Sequence, residues 1–157
     1  MWFMNKAANP FVRLVLRSPL HGLFSASMLL LTYHGRKSGR EYTLPAQYAQ
    51  EEGRLYVISG SPEKKTWWRN LQGGAPVRVT LRGRTLAGNG IVLKPESERE
   101  KIVEGLDLYL RRFPVVAKGH GVRLAADGSP DPGDLQRAAA GIKMVCVELR
   151  EGDLPGK

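Results

Sequence analysis

Apolar and polar positions along this chain repeat most often at a spacing of two, in runs of strand length. Ser27–His34 is almost wholly apolar, Glu41–Gln50 mixes apolar with polar positions, and Arg54–Ser59 is again mostly apolar. Each run suits one β-strand. Gly35-Arg36-Lys37-Ser38-Gly39 separates the first two and Glu51-Glu52-Gly53 the next two, so the three predict a meander. Pro45 lies within the second run, where a missing backbone donor points to a sheet edge or a bulge. Val77, Val79 and Leu81 then alternate with Arg78, Thr80 and Arg82, a half-buried strand. The turn Arg82-Gly83-Arg84 leads into a strand over Thr85–Leu93, and Ile142–Leu149 is a last strand able to return to the sheet.

The spacing lengthens elsewhere. Ile102, Leu106, Tyr109 and Phe113 form a helical stripe after Pro95, with Glu96, Glu98 and Glu100 where the helix dipole favours acids. Glu63–Gln72 predicts a short helix, with Ser61 as its cap and Gly73-Gly74 as its stop. Phe11–Leu16 suits an amphipathic helix that Ser18-Pro19 ends. Residues 114–141 are mixed and rich in Gly, Pro and Asp over Asp127–Asp134, which predicts a mobile loop on the substrate side. The sum is an α+β, mainly β chain: one small antiparallel β-barrel domain over residues 1–157, of about six strands with flanking helices. The early connections are too short for parallel crossovers, which excludes a Rossmann domain.

Charge changes this picture from fold to site. The chain of 157 residues has a net charge of +9, but residues 1–94 hold 14 Lys and Arg against 4 acids, while residues 95–157 hold 10 against 11. Basicity confined to one part of the chain indicates an anionic partner. Cys146 is the one cysteine and sits in an apolar run, so an intramolecular disulfide is excluded and a buried thiol in a reducing, cytoplasmic setting is expected. No apolar run reaches the roughly 18 residues of a membrane span, and the start has neither the charge nor the apolar core of a secretory signal. Residues 1–26 form a helical extension, read as a cap on an open barrel end. A helix lying on the inner face of the membrane is the alternative, given Trp2, Phe3, Phe11 and the basic positions.

Two segments carry candidate chemistry. In Gly35–Arg40 the glycines expose backbone N–H groups, Arg36, Lys37 and Arg40 add cationic donors, and Ser38 adds a hydroxyl. That set suits a phosphate or carboxylate, although the spacing is not that of a Walker loop. A hairpin with solvated cations is the plain reading of the same residues. In Lys64–Leu71, Lys65 and Lys64 precede Thr66-Trp67-Trp68, with Arg69 and Asn70 following. Adjacent helical residues point about 100° apart, so one tryptophan can enter the core while the other walls a cavity for a flat ring. His21, His34 and His120 are scattered, no metal spacing is present, and no serine lies in a nucleophile elbow. The expectation is therefore no catalytic side chain and no metal, with a bound cofactor supplying the chemistry. No helix-turn-helix, RNP-type strand or zinc site is present, so no nucleic-acid partner is expected.

Taken in order, Asn9-Pro10, the Gly-Arg-Lys-Ser-Gly turn, Pro45, the strand ending at Ser59, and Trp67-Trp68-Arg69-Asn70-Leu71 followed by Ala75-Pro76-Val77 resemble the deazaflavin-dependent nitroreductase family. These are small split β-barrels related to flavin-binding split-barrel oxidoreductases, and the resemblance covers about residues 9–150. It implies coenzyme F420, with FMN as the alternative, and hydride transfer from the reduced deazaflavin to a small electron acceptor: a quinone, an activated alkene or a nitro compound. It places the phosphate on Arg36, Lys37 and Ser38, and the ring and ribityl chain along Ser59–Ser61 and Lys64–Asn70. Pro45 and Gln47 would face the ring pocket. The chain departs from the family in having no tyrosine after Tyr109, where Lys118, His120 and Arg123 stand instead. A carrier of a flavin-like or tetrapyrrole ligand is the non-catalytic alternative, and the chain is expected to be a monomer or a homodimer.

Overall fold

The computed structural model describes residues 27–60 and 64–150. The expected N-terminal extension over residues 1–26, its membrane alternative, and Ser61 lie outside the described residues.

Among the described residues, seven strands make one antiparallel sheet: β1 Met28–His34, β2 Glu41–Gln47, β3 Ala49–Glu51, β4 Arg54–Ser59, β5 Ala75–Leu81, β6 Arg84–Val92 and β7 Lys143–Leu149. The order across the sheet is β2-β1-β5-β6-β7-β4-β3. β2 and β3 therefore stand at opposite ends although Tyr48 alone separates them in the chain. A sheet whose two end strands are joined by one residue must curl until its ends meet. This is the split barrel, and the line where β2 faces β4 without ladder hydrogen bonds is its seam. Pro45 lies on the end strand β2, opposite Leu30, so its missing N–H breaks no interior ladder.

The seven strands agree with the expected barrel of about six, with one difference in how they are divided. Glu41–Gln50 is not one strand but two, broken at Tyr48. Buried Tyr48 is followed directly by buried Ala49, which interrupts the in–out alternation and marks where the chain changes direction.

The strand alternation sorts side chains into two buried layers. Leu29, Leu31 and Tyr33 of β1, Val77, Val79 and Leu81 of β5, and Val145, Val147 and Leu149 of β7 fill the barrel interior, with Trp67, Trp68 and Leu71 packed among them. The opposite faces of β4 and β7 present Tyr56, Met144 and Cys146 to a helix, α1 Pro95–Arg112, through its stripe Ile102, Leu106, Tyr109 and Leu110. Gly105 allows this contact: a Cβ there would lie 2.6 Å from Tyr56 Cδ1 and 2.7 Å from Met144 Sδ. Cys146 is the buried thiol expected, and burial pushes its pKa up to about 11.

Residues 114–141 are not the loop that composition suggests. They form two short 3-10 turns, Pro114–Val116 and Lys118–His120, and a second helix, α2 Pro132–Ala139. The Asp and Gly content that reads as loop is structural. Asp131 caps α2 by accepting from the Asp134 N–H at 2.9 Å. Buried Asp134 accepts from Arg123 Nε at 2.9 Å and from the Arg123 N–H at 3.0 Å, and also from Arg137. These bonds hold its carboxyl well below the usual carboxylate range.

Candidate functional site

The turn between β1 and β2 is closed by its own backbone. The Gly35 N–H donates to Arg40 O at 2.9 Å, the Gly39 N–H donates to Gly35 O at 2.8 Å, and Ser38 Oγ accepts the Arg40 N–H at 3.1 Å. Gly39 adopts φ +69°, and a Cβ on Gly35 would lie 2.7 Å from Ser38 Oγ and 2.9 Å from Tyr42 Cε2. Both glycines are therefore needed to fold the turn tightly. Arg36, Lys37, Ser38 and Arg40 are exposed at its tip.

The expected helix over Glu63–Gln72 is shorter and tighter than predicted. It is a five-residue 3-10 helix, Trp67–Leu71, opening with the Arg69 N–H bonded to Thr66 O at 3.0 Å. The Gly73 and Gly74 backbones, at φ +81° and +95°, stop it. Both tryptophans are buried, but they do different work. Trp68 is packed from behind: its Nε1 donates to Lys65 O at 2.7 Å, and Arg69 and Lys143 lie over its ring at 5.4 and 4.8 Å from the centroid. Trp67 packs with its ring 6.3 Å from that of Tyr33 and also lines surface depressions on the barrel.

Asn70 joins the two segments. Its Oδ1 accepts the Arg36 N–H at 3.0 Å, and its Nδ2 donates to Trp67 O at 3.0 Å. Residues 34 positions apart are thus tied to one another by a single side-chain amide.

Two depressions meet at Trp67. The outer groove, about 670 Å³, is lined by Arg36, Lys37, Ser38, Thr66, Trp67 and Asn70 from the predicted set. Tyr33, Tyr42, Arg69 and Gln72 also line it. Tyr33 and Tyr42 stack at 5.7 Å between centroids, and burial pushes the Tyr33 hydroxyl up to about 12. The inner cleft, about 270 Å³, lies on the seam of the barrel. Pro45 and Gln47 of β2, Ser59 of β4, Lys65 and Trp67 line it from the predicted set, with Leu44 and Val57 as apolar wall. Arg40, Lys64 and Trp68 line neither depression.

Tyr109, Val116 and His120 complete the inner cleft; the sequence names His120, with Lys118 and Arg123, in the stretch expected on the substrate side, but does not single out Tyr109 or Val116 for the site. Tyr109 fits the apolar stripe of α1, yet its hydroxyl donates to Gln47 Oε1 at 3.4 Å and burial raises its pKa. His120 is half-buried, and desolvation pulls its imidazole below the ordinary value, so it is neutral at pH 7. Ser59 is 4% exposed, and its Oγ has no hydrogen-bond partner. An unspent buried hydroxyl on the wall of a cleft is what a polar ligand atom would satisfy. Among the described residues, no cluster of His, Cys, Asp and Glu is arranged to hold a metal ion, and no helix is long and apolar enough to cross a membrane.

Residues 18–115 match a family of known proteins, described as F420H(2)-dependent quinone reductase. No curated protein matches the chain. Among solved structures, an F420-H2 dependent reductase (FDR-A) is similar with a TM-score of 0.53 at 20% identity, over 78% of this chain and 94% of that one. A protein described as a domain-swapped dimer is similar with a TM-score of 0.56 at 18% identity, over 90% of this chain and 96% of that one. At these identities the structural likenesses establish the fold, which agrees with the split barrel described above.

Proposed function

The chain belongs to the F420H(2)-dependent quinone reductase family and is an F420-dependent oxidoreductase, and from that premise we propose how its own residues divide the work. Arg36, Lys37 and Ser38 hold the cofactor's phosphate in the outer groove, with Arg40 adding positive potential from the rim. Trp67 and Thr66 flank the passage inward, and Pro45, Gln47 and Ser59 line the ring's end of the site in the inner cleft. The bound cofactor supplies a hydride to the acceptor. The protein positions the two partners and screens them from water with the apolar wall of Leu44, Val57 and Trp67.

One observation carries this reading: Trp67 is the shared wall of a basic groove and of the cleft on the barrel seam, and Asn70 fixes the basic turn to the helix that bears it. A long ligand with an anionic end and a flat end fits that layout. The donor set agrees with it, since cations and a hydroxyl gather at one end and an unsatisfied buried hydroxyl, Ser59 Oγ, stands at the other. The acceptor is a small electron-poor molecule of the quinone type, seated in the inner cleft.

The test is a titration of wild type and of the Arg36→Ala/Lys37→Ala double variant with F420 and, in parallel, with FMN. Loss of two charge-assisted contacts predicts an F420 affinity about 100-fold weaker, with a salt dependence that falls in step. Equal affinity of the two proteins for F420 sinks the phosphate assignment, and tighter binding of FMN than of F420 sinks the cofactor placement.

A further inference from the structure

The inner cleft contains more polar chemistry than a cofactor ring needs. Its walls are apolar at Leu44, Pro45, Val57, Trp67 and Val116, but His120 reaches it from the far side, opposite the sheet. The position is set by the fold. α1 packs on β4 and β7, so its C-terminal end stands over the seam. The chain then turns sharply through Pro114–Val116 and Lys118–His120 and is stopped by Gly121 at φ +71°. The His120 backbone is fixed there by its N–H, which donates to Ala117 O at 3.0 Å. The His120 side chain, by contrast, makes no hydrogen bond or ion pair among the described residues. Gln47 and Tyr109 are already bonded to each other. The unspent donor on the helix side of the cleft is therefore the imidazole, which is neutral at pH 7 because burial disfavours its charged form.

We propose that His120 is the acceptor-binding residue of this enzyme, its imidazole N–H donating a hydrogen bond to the oxygen of a carbonyl-bearing acceptor held in the inner cleft. This rests on the placement of the cofactor and the acceptor given above. The side chain selects and orients; it gives up no proton. Conversion of a quinone to a hydroquinone needs a hydride from the reduced cofactor and a proton from solvent, and His120 ends the step as neutral as it began. A neutral donor suits this task, because it strengthens its bond as negative charge develops on the acceptor oxygen without a change in its own protonation.

The experiment uses the full chain and duroquinone (tetramethyl-1,4-benzoquinone), which has no open ring position for addition and undergoes no reduction in the absence of reduced cofactor. Its affinity is read from quenching of tryptophan fluorescence, first with the protein alone and then with oxidised F420 present. Loss of one neutral hydrogen bond in His120→Ala predicts binding about fivefold to tenfold weaker. His120→Asn, whose amide also donates, is expected to recover most of that loss. The imidazole nitrogen resonances of His120 should shift when wild type binds duroquinone. In turnover with reduced F420, His120→Ala should raise KM for the quinone and leave the F420 affinity as it was. Equal duroquinone affinity in wild type and His120→Ala, no binding by wild type, or an Asn variant as weak as Ala each overturns the inference. Absence of F420 binding by wild type instead overturns the cofactor reading, and the measurement on the protein alone still decides the role of His120.

Discussion

The outer groove and the inner cleft meet at one tryptophan, yet they are built in opposite ways. The groove comes from two compact stretches of sequence, Tyr33–Tyr42 and Thr66–Gln72, tied by the Asn70 amide. Its groups are cationic and exposed, and its specificity lies in charge. The cleft draws residues from β2, β4, the 3-10 helix, α1 and the turn that follows. Its walls mix apolar side chains with Gln47, Ser59, Lys65, Tyr109 and His120, and the buried Ser59 hydroxyl among them has no hydrogen-bond partner. A charged anchor tolerates imprecision, because Coulomb attraction falls slowly with distance. A site that reads a neutral oxygen does not, so it is assembled from elements the core holds rigid.

Trp67 tests whether the two regions are one site. Trp67→Ala removes a buried aromatic from the core as well as the shared wall, with an expected stability loss of about 3–5 kcal/mol. Both F420 and duroquinone affinities should fall in this variant, and in the milder Trp67→Phe, measured by titration beside thermal melting. Loss of one affinity alone would show that the depressions work separately.

Asn70→Ala should separate them. The Arg36 N–H loses its acceptor and the turn is freed from the helix. F420 affinity is expected to drop about tenfold, with duroquinone binding unchanged, on the usual worth of a positioned hydrogen bond. An equal effect on both ligands would mean that the anchor and the cleft cannot be told apart by position.

Ser59→Ala should give the smallest effect and the most specific one. Removing a hydroxyl that has no partner costs the free protein nothing and is expected to hold or slightly raise its Tm, since an unsatisfied buried group is worth about 1–3 kcal/mol of penalty. Binding of the cofactor's ring end should weaken by roughly threefold to tenfold. A lower Tm with unchanged F420 affinity would show that Ser59 serves the fold instead.

The same contrast governs what the sequence reveals. The groove was legible because its residues are neighbours in the chain, and glycines, cations and tryptophans advertise a turn and an anion site directly. The strands were legible for a similar reason, since their alternation is local. The cleft was only half legible. Pro45, Gln47, Ser59 and Lys65 came from the order of family-like motifs, and His120 came only as one of three candidates in a stretch that composition reads as loop, whereas Tyr109 was hidden by fitting an apolar stripe. What brings His120 to the cleft is the packing of α1 on β4 and β7, close enough at Gly105 to leave no room for a Cβ against Tyr56 and Met144. No pattern within residues 114–120 encodes that packing. The kind of helix at Trp67–Leu71 was also out of reach, because a 3-10 turn and an α-helix share their apolar positions over five residues.

Joining the two end strands through Tyr48 has a consequence for the protein in a crowded solution. An open sheet presents two rows of unpaired amides, each a template on which another chain can grow. Here one end strand, β3, has three residues, and the other, β2, carries Pro45 in its middle and Glu41 at its start. Neither offers a long, flat, uncharged surface for strand addition, and the curl turns both toward each other. A chain with this much β-structure thus gains resistance to fibril growth from its connectivity, with no need to fill its edges with charge.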